Sequence, residues 1–141
     1  MQVETILQSK GRAVATVSAR LTVADAVAEL NTRRIGAVVV TDNGRVAGIL
    51  SERDIVRHLG KDWASLATRP VADIMTRDVV TTHSQATLDD VMELMTERRI
   101  RHLPVMDGGE LVGIVSIGDV VKRKIEATEQ EAQALREYIA S

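Results

Sequence analysis

The sequence predicts an α/β (α+β) fold made of two β-α-β-β-α units with pseudo-twofold symmetry, an extra N-terminal helix and a long C-terminal helix. Three observations carry this prediction. The chain repeats itself: Gly48-Ile49-Leu50-Ser51-Glu52-Arg53-Asp54 recurs as Gly113-Ile114-Val115-Ser116-Ile117-Gly118-Asp119, at an offset of 65 that holds without a gap from Val14/Val79 to Arg57/Lys122. Fifteen of those 44 pairs are identical, and an internal repeat of this length has to be read before anything else because it sets the architecture. Each copy also carries a continuous apolar run, a Gly-bearing turn and a returning run, which is the pattern of a hairpin. Between these features lie apolar residues at helical spacing behind a threonine cap.

Taken in order, Val3, Ile6 and Leu7 form a short helical stripe that Gly11 ends. Residues 14–17 read as a strand. Thr22 caps the next helix with Asp25 at the third helical position, a shortened capping box, and Arg33 and Arg34 close it where the dipole favours positive charge. Residues 37–41 form a buried strand, Asp42-Asn43-Gly44 the turn, and residues 45–50 the return. Ser51 caps a helix running to about Leu59, with Asp54 at its third helical position. The segment 61–78 links the copies. Within it Trp63 is expected to pack over the junction, and Val71 to Met75 to make one helical turn. The order then recurs as strand 79–82, cap Thr87, helix 88–98, strand 102–106, turn Asp107-Gly108-Gly109, strand 110–115 and a helix from Ser116. That helix keeps a stripe through Val121, Ile125, Thr128, Ala132, Leu135 and Ile139, so its far part should pack on the N-terminal helix or on another subunit. The expected boundaries are 1–13, 14–60 for the first repeat, 61–78, 79–125 for the second repeat, and 126–141.

Composition excludes several classes of function. A net charge of −2 gives no overall attraction for nucleic acid or an anionic membrane, and stacking aromatics are missing, since Trp63 and Tyr138 stand without any Phe. No apolar run approaches the length of a membrane span, and the opening residues do not resemble a signal peptide. Without cysteine there is no disulfide framework or thiolate chemistry, and a cytoplasmic location follows as the default. His58, His83 and His102 are scattered without metal-ligand spacing, and no Walker loop, nucleophile elbow or Gly-x-Gly-x-x-Gly is present, so neither a metal nor a catalytic residue is expected.

The chemistry that remains lies in the doubled Ser-x-x-Asp. A hydroxyl and free backbone N–H groups at a helix N-terminus can meet an anionic ligand, and a carboxylate can accept from both hydroxyls of a ribose. The same pair is also an ordinary helix cap. Its recurrence at one spacing, each time after Gly-Ile-aliphatic, favours the ligand reading. Together with Ile100-Arg101-His102-Leu103-Pro104-Val105 and the β-α-β-β-α order, these motifs resemble a tandem pair of cystathionine-β-synthase (CBS) domains, a Bateman module standing alone, over residues 14–125.

That resemblance implies a non-catalytic regulatory module, an energy or redox sensor that binds AMP, ADP, ATP or NAD in clefts between the repeats, with S-adenosylmethionine less favoured. It implies a homodimer of two pairs. It also implies that the Asp of one repeat works with residues ahead of the Leu-Pro position of the other. Site 1 would then comprise Ser51, Asp54, Thr81, Arg101 and His102; site 2 would comprise Thr16, Ala37, Arg53, Ser116 and Asp119. Arg101 and His102 suit phosphate, although they could equally be a strand-edge pair making surface ion pairs. Ala37 brings no charge to its site, so site 2 should be the weaker. The alternative is an interaction protein with vestigial clefts whose long C-terminal helix docks an unknown target protein.

Overall fold

A computed structural model describes residues 1–60 and 62–140. Lys61 and Ser141, the first residue of the expected linker and the last of the expected extension, lie outside the described residues. The chain divides into two compact units: Val14–Val80, and Met1–Ala13 together with the chain from Thr81 onward.

In the first unit, β1 (Thr16–Ser18) runs parallel to β2 (Ala37–Asp42), which pairs antiparallel with β3 (Arg45–Ser51). Joining β1 to β2 in parallel requires a crossover, and α2 (Val23–Arg33) supplies it. The Thr22 hydroxyl accepts from Asp25 N–H at 3.2 Å while the Asp25 carboxylate accepts from Thr22 N–H, so the shortened box is reciprocal here. Asn43 and Gly44 both take positive φ, which is what a tight primed hairpin turn between right-twisted strands demands. α3 (Glu52–Leu59) follows, then a short helix, α4 (Trp63–Ala67), which begins at the exposed Trp63 and lies where the sequence suggested only a link. A 3₁₀ turn at Val71–Asp73 matches the expected helical turn. Val17, Val23, Leu30, Val38, Val40, Leu50, Leu66, Val71, Ile74 and Met75 form one core, so residues well beyond α3 are part of the first repeat's interior.

The second unit contains α5 (Leu88–Arg98), the hairpin β4 (His102–Asp107) and β5 (Glu110–Ser116), and the 24-residue α6 (Ile117–Ala140). The strand expected over 79–82 is reduced to a single bridge between Thr82 and Val105. Pro104 explains the loss. In the first unit Val39 donates its N–H to Ala15 O at 3.1 Å. The position 65 residues on is Pro104, which has no N–H to give. The rungs from Thr82 N–H to Pro104 O and from Met106 N–H to Thr82 O remain.

The N-terminal segment, α1 included (Val3–Lys10), docks on the second repeat, and residues 69–76 dock on the first in the same way. Val71 N–H donates to Leu21 O and Ala72 N–H to Ala19 O; at the other end of the duplication Val3 N–H donates to Ala86 O and Glu4 N–H to Ser84 O. Arg69 O accepts from Val23 N–H, as Met1 O does from Leu88 N–H. Residues 1–7 are thus the counterpart of 69–75, at an offset of 68 rather than 65. Met75 lies over Gly48 and Leu7 over Gly113, where a Cβ on either glycine would fall within 3 Å of that side chain. Close packing thus favours glycine at both positions, most strictly at Gly48, where backbone Thr76 O is also within 3 Å.

Candidate functional site

Each Ser-x-x-Asp motif sits where a hairpin strand turns directly into a helix. β3 ends at Ser51, whose extended backbone (φ −114°, ψ 165°) caps α3. Asp54 N–H donates to Ser51 Oγ at 3.3 Å, and the Asp54 carboxylate accepts in return from Ser51 N–H at 2.9 Å. The first helical residue, Glu52, donates its N–H to Gly36 O, which ties the start of α3 to the residue ahead of β2. The second repeat reproduces this. Ser116 N–H donates to Asp119 Oδ2 at 2.9 Å, Asp119 N–H donates to Ser116 Oγ at 3.1 Å, and Ile117 N–H donates to Arg101 O at 2.8 Å.

The two carboxylates differ in what else holds them. Asp54 is 6% exposed, and its Oδ1 accepts from the Thr76 hydroxyl at 3.0 Å while Thr76 N–H donates to Ile49 O. In the second repeat both tasks fall to one ammonium: Lys10 Nζ donates to Asp119 Oδ2 at 2.6 Å and to Ile114 O at 3.0 Å. Burial alone would raise the Asp119 pKa, but the Lys10 hydrogen bond and the Ser116 N–H outweigh it and hold the carboxyl below its ordinary range. The first motif therefore presents a carboxyl group braced by neutral donors, and the second presents an ion pair.

Of the site residues expected from sequence, the first unit brings Ser51 and Asp54 together, with buried Ala37 directly across the ladder from Ser51. Thr16 lies exposed on β1, and Arg53 is exposed beside Asp54 in the first turn of α3. In the second unit Ser116 and Asp119 come together, half-buried His102 lies opposite Ser116 in the ladder, and Arg101 and Thr81 are exposed. Thr76 and Lys10 were not foreseen. At the 65-residue offset they align with Gly11 and Met75, and at the docking segments' offset of 68 with Gln8 and Asp78, so neither alignment reveals their shared role. Among the described residues no group of three His, Asp or Glu side chains could hold a metal ion. No described helix is long and apolar enough to cross a membrane.

Two copies of an α-β-β-α unit, the first with an added parallel strand and each with a capped Ser-x-x-Asp at its strand-to-helix turn, define a class of paired modules. The CBS domain family model matches the chain twice, over residues 10–61 and 71–126, and the chain belongs to the CBS-domain family. The CBS-domain protein ATU1752 of Agrobacterium tumefaciens superposes with a TM-score of 0.85 at 44% identity, over 87% of this chain and 92% of that one. The mitochondrial CBS domain-containing protein CBSX3 of Arabidopsis thaliana is 38% identical over 123 residues, 84% of this chain, and the chain spans 60% of that protein's length. The CBS domain pair of protein MJ0100, solved in complex with 5′-methylthioadenosine and S-adenosyl-L-methionine, matches with a TM-score of 0.76 at 27% identity, over 86% of this chain and 98% of that one.

Proposed function

We propose that this chain is a non-catalytic, cytoplasmic regulatory module that binds an adenine nucleotide or nucleoside at its Ser-x-x-Asp motifs and reports its level. The observation that carries the reading is Asp54. It is a buried carboxylate fixed at a helix N-terminus by Ser51 N–H and the Thr76 hydroxyl, and a carboxylate can accept from the two hydroxyls of a ribose. The adenosine compounds bound to the MJ0100 pair support the ligand class. In this reading Arg101 and His102, from the second repeat, meet the phosphate of the ligand held by Asp54, and Thr81 lines its adenine. Thr16, Ala37 and Arg53 serve Asp119 and Ser116 in return. Neutral adenosine compounds and AMP, ADP, ATP and NAD share the ribose that Asp54 recognises; the phosphate-directed residues favour the nucleotides.

Signalling follows as a population shift, in which ligand favours one arrangement of the module because it binds that arrangement more tightly. A homodimer is part of the proposal. Val56 on α3 and Val121 on α6, equivalent at the 65-residue offset, are both exposed, as are Leu59 and Ile125 on the same two helices. These patches give a second copy an apolar surface to cover. A particle of monomer mass by light scattering, with and without nucleotide, contradicts the dimer.

Thermal unfolding with AMP, ADP, ATP, NAD and S-adenosylmethionine tests the ligand. A compound at 100 times its dissociation constant adds about 2.7 kcal/mol by mass action, a shift of several degrees. The expected result is such a shift with at least one compound, lost in Asp54→Asn. Its absence with all five at millimolar concentration favours the second reading, a partner-docking helix, for which the exposed Leu135, Tyr138 and Ile139 near the end of α6 speak.

A further inference from the structure

We infer that Lys10 is a tethered occupant of the second motif, so that Asp119 accepts a ligand only when the lysine is displaced. The inference rests on the nucleotide reading and adds to it which chemistry keeps the second site closed. The comparison within the molecule carries it. In the first repeat the docking segment ends on the motif with a threonine, whose backbone N–H serves Ile49 O and whose hydroxyl serves Asp54. That hydroxyl is neutral and can rotate to accept as well as donate. In the second repeat the docking segment stays helical through Lys10, one turn further, and its ammonium spans Ile114 O and Asp119 Oδ2.

A charge-assisted bond at 2.6 Å is short, and the carboxylate oxygen that takes it also takes Ser116 N–H. A ribose diol arriving there meets a neutralised ion pair in place of a free acceptor, and a cationic ligand meets direct repulsion. Lys10 is nevertheless not sealed in. Its side chain is 36% exposed and that of Asp119 26%, so the ammonium can leave for water, and the pair gates the site without closing it permanently. Occupancy thereby depends on outcompeting one side chain held at high local concentration by α1.

Calorimetric titration of the full chain with AMP, and separately with S-adenosylmethionine, tests this in wild type, Lys10→Met and Lys10→Gln. Lys10 is exposed at the end of its helix, so both variants keep the fold, which far-UV circular dichroism verifies. The expected result is one equivalent bound by wild type, and a second equivalent in both variants that binds about fivefold to tenfold tighter than any second event in wild type. Adding Asp119→Asn to Lys10→Met then removes that equivalent. One equivalent with unchanged affinity in all three chains overturns the inference and leaves the nucleotide reading standing. Two equal equivalents in wild type, or weaker binding in the variants, also overturn it, the latter by making Lys10 a ligand contact. Binding of neither compound by any chain overturns this inference; the nucleotide reading falls with it only when ADP, ATP and NAD also leave the thermal midpoint unmoved.

Discussion

The two repeats reach the same arrangement by different means. In the first, residues 69–76 arrive from the stretch between the repeats and lay a short 3₁₀ turn against the residues after β1 and a backbone bridge against β3, ending on Asp54 with a hydroxyl. In the second, the N-terminal segment arrives from the other end of the chain and lays a full helix on β5, ending on Asp119 with an ammonium. The capping geometry around each serine is the same within a few tenths of an ångström. Duplication therefore preserved the capped turn, which the hydrogen bonds of a helix start enforce, and left free the residue that finishes it. The difference in charge at that residue is what separates the two sites.

Packing against the docked segments should show the largest contrast. A Cβ on Gly48 would meet Thr76 O and Met75 Sδ at 2.7 Å, whereas one on Gly113 would meet only the tip of the Leu7 side chain. Backbone held by the Ile49–Thr76 bridge cannot yield as a leucine rotamer can. Gly48→Ala should therefore cost about 3 kcal/mol and Gly113→Ala about 1 kcal/mol, at the upper and lower ends of the overpacking range, read from urea midpoints. Equal costs would mean that α1 is held as rigidly as the 69–76 segment.

Next comes the residue that completes each motif. Thr76→Val leaves an oxygen of buried Asp54 without its donor and should destabilise by about 1–2 kcal/mol. Lys10→Met breaks a partly exposed pair and should cost less than about 1 kcal/mol. The reverse order in chemical denaturation would remove the distinction drawn between the two carboxylates.

The missing strand rung offers a finer test. Pro104→Val restores the N–H whose first-repeat equivalent, that of Val39, bonds Ala15 O. The gain of about 1 kcal/mol from the new bond is offset by about as much lost when proline no longer restricts the unfolded chain, so stability should barely move. Hydrogen exchange should nonetheless find the amide at position 104 protected, like that of Val39, whose N–H is bonded to Ala15 O. A fast-exchanging amide there would show that proline is not what shortens the second ladder.

Acid gives the smallest effect. The Asp119 pKa is lowered on folding, so its stabilisation is complete above the unfolded value of about 4 and is lost as pH falls through the folded value. The small stability gap between wild type and Lys10→Met should therefore persist at neutral pH and shrink as pH drops below about 4, where Asp119 takes up its proton. A gap that grows on acidification would contradict the Lys10–Asp119 pairing.

Much of this was legible in the sequence, for identifiable reasons. Caps, hairpin turns and strand-to-helix junctions depend on residues a few positions apart, so Thr22, Asn43-Gly44, Ser51 and Ser116 announce themselves. Pro104 could also have been read, because a proline beside an expected parallel strand removes a rung, but the near-identity of the repeats drew attention to what they share. Thr76 and Lys10 lay out of reach. They meet Asp54 and Asp119 across 22 and 109 residues. The duplication that aligns everything else places them out of register. The helix α4 was missed because Trp63-Ala64-Ser65-Leu66-Ala67 is too short to show a period; the Asp62 side chain, accepting from Ser65 N–H, starts it.

Calorimetric titration of adenine nucleotides into wild type, Asp54→Asn and Asp119→Asn tests the central claim most directly. The account predicts that one compound binds wild type, that Asp54→Asn weakens it at least tenfold by removing the ribose acceptor, and that Asp119→Asn leaves this first event nearly unchanged. Binding lost through Asp119 and indifferent to Asp54, or no binding in any chain, would contradict it.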